Sequence, residues 1–188
     1  MKKSILITGV SGTGKSEVSR QLKAQGYETH DMDAVEDLCV MVDKKTGLPT
    51  SYDNGNDIEK MEKMLWLYKK DVLEKLIADQ KNEVAFYCGM PNNLEEITDV
   101  FTQVIVLSVS PDIIRQRLNT RTDNGFGKSV EVQEYILNGK EKLENDLRQK
   151  GACIITTDRS LGEVVKEVLG KVAGTDALAN EAMDRGTK

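Results

Sequence analysis

Residues 9–16 read Gly-Val-Ser-Gly-Thr-Gly-Lys-Ser, which matches the pattern G-x-x-x-x-G-K-[ST]. The apolar, β-branched run Ser4–Thr8 precedes this segment, and a helix is predicted to follow it. That strand–loop–helix placement separates a phosphate-holding loop from a chance glycine-rich turn with an exposed lysine. It constrains the fold more than any other feature of the chain. Gly9, Gly12 and Gly14 let the backbone form a turn whose N–H groups converge on an anion, where a Cβ would obstruct the approach. The following helix directs its positive end at the same anion. Lys15 adds a point charge for the β- and γ-phosphates of a nucleotide, and the Ser16 hydroxyl is a candidate Mg²⁺ ligand. Ser11, Thr13 and Glu17 complete the candidate nucleotide-binding set.

Four further apolar runs punctuate the chain: Tyr27–Asp31, Glu83–Cys88, Gln103–Val109 and Ala152–Thr156. Val104–Leu107 is apolar throughout, as expected of a strand covered on both faces. Between the runs lie stretches with helical spacing. Ile58, Met61, Leu65, Tyr68, Val72 and Leu76 predict one helical face, with Asn56 and Glu59 as a capping box at its start. Ser110-Pro111 predicts an N-cap followed by proline at the first helical position. Ser160 with Glu163 predicts a second capping box, opening a helix through about Leu169. Strands alternating with helices imply crossover connections, hence an α/β fold of three layers with helices on both faces of a parallel sheet. Residues 1–172 are expected to form one domain, and 173–188 a polar tail, loosely held or a short peripheral helix.

A chain of 188 residues is long enough for one substantial core. Its formal net charge of −5 argues against a surface-wide basic field, so nucleic acid is not an expected partner. Cys39, Cys88 and Cys153 are widely spaced, unlike zinc ligands, and suggest thiols in a reducing compartment. No segment is long enough to span a bilayer, and a soluble cytoplasmic protein is expected, as a monomer or homodimer. His30, the sole histidine, reads as a strand-end residue.

The rest of the chain selects among the proteins that use such a loop. A GTP switch would need Asn-Lys-x-Asp after the fourth strand, which is missing. An AAA-type ATPase would show a strand ending in an acidic pair, whereas the third strand here ends FYCGMPNN. Positive evidence comes from SPDIIRQRLNTRTDNGFGK, residues 110–128. Arg117 and Arg121, four apart on a predicted helix, share a face and can point at one ligand, although such residues also make a solvated basic face. The polar, glycine-rich run after them, within a lid of about 119–128, can close over a nucleotide.

With these motifs the chain, from about Lys3 to Leu169, resembles the small P-loop kinases, a group holding adenylate, shikimate, gluconate and dephospho-coenzyme A kinases. The resemblance implies a five-stranded parallel sheet in the order 2-3-1-4-5 and a short lid. It implies that Arg117 stacks on adenine and Arg121 contacts the transferring phosphate. It also implies that the segment Thr157–Ser160, including Asp158, borders the adenine edge.

On the acceptor side, an insertion of about 34–80, Asp31 and Asp33 lie on one face just beyond the sheet's carboxyl edge. One carboxylate can hold Mg²⁺ through water, and the other can accept a proton from an attacking hydroxyl. The pair looks like that of shikimate-type and dephospho-coenzyme A kinases. The plainer alternative makes Asp33 the N-cap of a helix over 34–42. Cys88, Gly89, Met90 and Asn92 complete the candidate acceptor set, although the acid and arginine of adenylate-type kinases are missing there. No arginine occurs between Arg20 and Arg115, so the acceptor region lacks the fork that grips carboxylate or phosphate. The loop 44–56 is expected to be mobile and substrate-facing, or else a plain connection, and Trp66 and Tyr68 are expected in the core. The function expected is an ATP- and Mg²⁺-dependent kinase acting on a hydroxyl of a nucleoside, sugar, polyol or shikimate-like metabolite. Its catalytic residues would be Lys15, Asp33, Arg117 and Arg121, with Ser16 and Asp31 at the metal. A nucleoside-monophosphate kinase and a non-enzymatic ATP-binding regulator are the alternatives.

Overall fold

The computed structural model describes residues 2–51, 56–122 and 125–185, with side chains through residue 174. Strands β1 (Lys3–Thr8), β2 (Glu28–Asp31), β5 (Val84–Cys88), β6 (Gln103–Ser108) and β7 (Cys153–Thr156) form one parallel sheet. Its spatial order is β2-β5-β1-β6-β7, which is 2-3-1-4-5 counted within the sheet. The central strand β1 is buried along nearly its whole length because neighbours flank both edges and helices cover both faces. On one face, α1 (Lys15–Ala24) and α7 (Leu161–Arg185) pack Val18, Leu22, Val164 and Val168 against Ile5, Ile7 and Phe86. On the other, α3 (Lys70–Ala78), α4 (Leu94–Ile97) and α6 (Val130–Gln149) bring Leu73, Ile97 and Leu147 against Leu6, Tyr87 and Val106. The three-layer α/β/α expectation is met.

Two caps form as their sequences require. Ser110 Oγ accepts the Ile113 N–H ahead of α5 (Pro111–Thr120), and Ser160 and Glu163 exchange backbone and side-chain hydrogen bonds at the start of α7.

The acceptor-side insertion departs from expectation. The single helical face proposed for Ile58 to Leu76 is instead α2 (Ile58–Glu62), strand β4 (Met64–Tyr68) and α3. Strand β4 pairs antiparallel with β3 (Cys39–Asp43), which replaces the helix considered over 34–42. Five consecutive apolar or aromatic residues, Met-Leu-Trp-Leu-Tyr, favour an extended segment once Cys-Val-Met-Val is available as a partner. Asp57, not Asn56, caps α2, accepting the Lys60 N–H. Asp31 caps the short 3₁₀ turn Met32–Ala34. Within the loop 44–56, Asp43 Oδ1 closes the turn at Lys45 and Thr46, and Val42 bridges to Pro49. Tyr52 to Gly55 lie outside the described residues, as do Asp123 and Asn124 of the lid. The chain does not leave helical structure near residue 172, because α7 continues to Arg185. Among the described residues no helix is long and apolar enough to cross a membrane.

Candidate active site

A cleft of about 1390 Å³ runs along the carboxyl edge of the sheet, between the glycine-rich loop, the β3–β4 hairpin and the lid. Most residues singled out from sequence meet there. Ser11, Gly12, Gly14, Lys15, Ser16 and Glu17 line its floor. Gly14 holds φ 96° immediately before α1, a left-handed conformation that a Cβ would strain, and so turns the chain into the helix. Gly9 and Thr13 are buried beneath the loop and do not line the cleft. The Thr13 hydroxyl closes the turn by donating to Val10 O at 2.8 Å.

Lys15 folds back on its own loop, its Nζ donating to Gly9 O (2.6 Å) and Val10 O (3.2 Å). Burial lowers its pKa to about 8; Asp33 and Asp31 pull it back up, and Arg121 adds to the lowering. These couplings place the lysine, both carboxylates and the lid arginine within electrostatic reach of one another.

Asp31 and Asp33 both line the cleft at the end of β2. Asp31 Oδ1 accepts the Asp33 N–H at 3.3 Å, and its pKa is raised by burial and then by the Asp33 charge. Asp33 Oδ1 accepts two donors from strand β4: the Tyr68 hydroxyl at 2.6 Å and Trp66 Nε1 at 2.9 Å. Its second oxygen has no donor among the described residues. Tyr68 sits in the core as expected and Trp66 packs against it, but both come from a strand rather than a helix, and together they clamp one oxygen of the candidate base. Tyr68 is buried, and both burial and the Asp33 charge push its phenol far above the ordinary range.

The segment after β5 builds this clamp. Gly89 does not line the cleft; a Cβ there would overlap the Tyr68 hydroxyl, so the missing side chain admits the tyrosine. Asn92 exchanges backbone and side-chain hydrogen bonds with the main chain of Trp66 (2.7 Å each), and Asn93 does the same for Tyr68 with its side chain alone. The two asparagines thus satisfy the edge of β4, while Met90 and Asn92 also face the cleft. Cys88 is buried and outside the lining, its thiol pushed up to about 12 by burial.

Arg117 donates from Nη1 to Gly12 O (3.1 Å) and Thr157 Oγ1 (3.0 Å), and from Nη2 to Thr157 O (2.6 Å). It joins the glycine-rich loop to the end of β7 and lines the cleft. Arg121 also lines the cleft but follows the last helical residue, in extended conformation. Asp158 is exposed and outside the lining, where Thr157, Arg159 and Leu161 stand instead. Sequence reasoning missed Asn56 as a rim residue. Its side chain donates to Gly125 O (2.6 Å) and accepts from Lys128 N (2.6 Å) and Ser129 N (3.0 Å), tying the insertion to the lid.

A parallel sheet in this order, a phosphate-binding loop after its central strand and carboxylates beyond the next-but-one strand give the chain the fold of the small P-loop kinases. Solved structures bear this out. A gluconokinase from Sinorhizobium meliloti 1021 superposes with a TM-score of 0.57 at 20% identity, covering 98% of this chain and 97% of its own. A shikimate kinase from Acinetobacter baumannii in complex with shikimate gives 0.60 at 15% identity, covering 93% and 95%. A deoxyadenosine kinase from M. mycoides with bound dATP gives 0.54 at 15% identity, covering 91% and 99%. The AAA domain family model matches residues 5–138, and the chain belongs to that family. No curated protein matches the sequence.

Strand β5 ends in Cys88, but Asp31, its register partner on β2, supplies a carboxylate at the same sheet edge.

Proposed function

We propose that the protein is a cytoplasmic ATP- and Mg²⁺-dependent kinase that transfers the γ-phosphate to a hydroxyl of a small metabolite. Neither nucleic acid nor membrane is a partner in this reading, and the enzyme acts as a monomer or homodimer. The observation that carries it is the Asp33 carboxylate. One oxygen is fixed by Tyr68 and Trp66, and the same cleft holds Lys15 and Ser16. A general base held this way is of use to an attacking hydroxyl, whereas binding a nucleotide for signalling needs only the loop. The gluconate, shikimate and deoxyadenosine kinases that share the fold support the same chemistry.

Among the described residues no cluster of three or more His, Cys, Asp or Glu is placed to hold a metal alone. That suits magnesium, which keeps several waters and enters with nucleotide phosphates rather than in a protein cage. Ser16, exposed at the start of α1, and Asp31 fit such an ion as a hydroxyl ligand and a partner through water. When bound, magnesium would offset charge developing on the phosphates. Lys15 leaves its own loop carbonyls for the β- and γ-phosphates, Asp33 orients and deprotonates the acceptor hydroxyl, and the lid excludes water. Positioning, charge stabilisation and proton acceptance by Asp33 together make up catalysis here.

ADP release measured with nucleosides, nucleoside monophosphates, sugars, polyols and shikimate tests the proposal. Release that depends on an added hydroxyl acceptor, and that Lys15→Ala abolishes, is the expected result. Release with monophosphates alone would move the reading to a nucleoside-monophosphate kinase. Nucleotide binding without any acceptor-dependent release would leave a regulator.

A further inference from the structure

Four of the chain's seven methionines, Met41, Met61, Met64 and Met90, line the cleft together with Trp66 and Phe126. Met41 stands opposite Trp66 in the hairpin ladder. Met64, Trp66 and Tyr68 alternate onto one face of β4, the face that meets Asp33. The polar side chains beside this wall are Asp31, Asp33 and Asn92, each with one oxygen already engaged. Asp33 Oδ1 already accepts two donors, and Asn92 Oδ1 accepts the Trp66 N–H. Cations are scarcer still. Among the described residues none of Lys44, Lys45, Lys60 and Lys63 lines the cleft. Arg117 is committed to Gly12 and Thr157, Arg159 is paired with Glu167, and Arg121 lies within electrostatic reach of Lys15.

We infer, on the strength of the kinase reading above, that the acceptor is a neutral alcohol built on a flat aromatic ring, of the nucleoside kind. Its ring lies against the methionines and Trp66, and its hydroxyl reaches Asp33. Thioethers pack favourably against aromatic rings and adapt to their outline, and an indole offers a second flat surface. A sugar or polyol brings a hydroxyl on nearly every carbon, and each one closed off from water needs a partner, of which the methionines and Phe126 supply none. A carboxylate or phosphate on the acceptor needs a guanidinium fork, and those of Arg117 and Arg159 are engaged elsewhere.

Trp66 is the sole tryptophan, so its emission reports on this wall without reference to turnover. The wild-type protein with MgADP is titrated with purine and pyrimidine nucleosides, gluconate, shikimate and AMP, exciting beyond the nucleoside absorption bands. The same compounds are then offered as acceptors with ATP. At least one nucleoside is expected to quench saturably and to be phosphorylated, with gluconate, shikimate and AMP about tenfold weaker or worse in both measurements. Met64→Ala, or Met90→Ala should the first fold poorly, raises the nucleoside KM about tenfold and leaves the KM for ATP unchanged. Preferred transfer to gluconate, shikimate or AMP overturns the inference and leaves the kinase reading standing. Absence of quenching by every nucleoside overturns the inference as well. Saturable nucleoside quenching with no transfer to any acceptor overturns the kinase reading, and the acceptor role falls with it.

Discussion

Replacing Gly89 with alanine places a methyl group in overlap with the Tyr68 hydroxyl oxygen, 3.0 Å from Tyr68 Cζ and 3.2 Å from Met32 Cε. Tyr68 is 1% exposed and Met32 0%, so neither can swing into solvent. Relieving the overlap takes a displacement of about 1 Å. The 2.6 Å hydrogen bond from Tyr68 to Asp33 then opens beyond bonding range. Overpacking a buried ring costs about 1–3 kcal/mol, and a hydrogen bond to a charged group contributes about 1.5–3 kcal/mol. Asp33 is exposed and takes up water in exchange, which keeps the combined loss near 2 kcal/mol. For a chain of this size that lowers Tm by about 4–8 °C. Loss of orientation at the base lowers kcat by about tenfold or more, while the KM for ATP is unchanged because the glycine-rich loop is untouched. Thermal unfolding and steady-state kinetics on Gly89→Ala, Tyr68→Phe and the double variant provide the assay. Tyr68→Phe removes the oxygen that the new methyl meets, so the double variant should be worse than Tyr68→Phe by less than about 1 kcal/mol. Strictly additive losses, or a Gly89→Ala protein with wild-type Tm and kcat, would refute the reasoning.

Asp33→Asn keeps the shape of the clamp and removes the base, lowering kcat by about a hundredfold or more while nucleotide affinity, read by calorimetry, stays within about twofold. Lys15 titrates near 8 in the folded protein against an ordinary 10.5, chiefly through burial. Between those values the unfolded chain binds more protons, so this residue makes stability rise with pH there, a rise that urea titrations in a pH series should find missing in Lys15→Met. Asn56→Ala removes the side-chain hydrogen bonds that tie the insertion to Gly125 O, Lys128 N and Ser129 N. It should raise the KM of both substrates by roughly threefold to tenfold and increase ATP hydrolysis relative to transfer, checked by parallel ADP and product assays.

The sheet and the nucleotide loop were legible because their signals are local. Four of the five parallel strands carry an apolar run, β2 with Glu-Thr-His-Asp being the exception among them, and the loop's chemistry sits in eight consecutive positions. The hairpin was not legible. Ile58, Met61, Leu65 and Tyr68 fall at helical intervals by coincidence, and what turns residues 64–68 into a strand is Cys39–Asp43, more than twenty positions away. The same distance hid the partners of Asp33, which are 33 and 35 residues further along. Sequence reading placed Gly89 at the site but assigned it to the acceptor, because nothing local shows that a tyrosine fills the space its side chain leaves. The end of the chain reads as a loosely held tail or a short peripheral helix, and the helix it forms is a continuation of α7. Residues after 172 lack a clear apolar face, yet their alanines, glutamate and methionine are good helix formers and carry α7 onward.

Asn56 belongs by sequence to the hairpin side of the cleft and by hydrogen bonding to the lid, so the two rims share a hinge pin. An insertion without an acceptor at position 56 would strand the Lys128 and Ser129 amides. The insertion and the lid are therefore best exchanged as a pair, and a chimera that takes such an insertion alone should grip its nucleotide poorly even with every catalytic side chain in place.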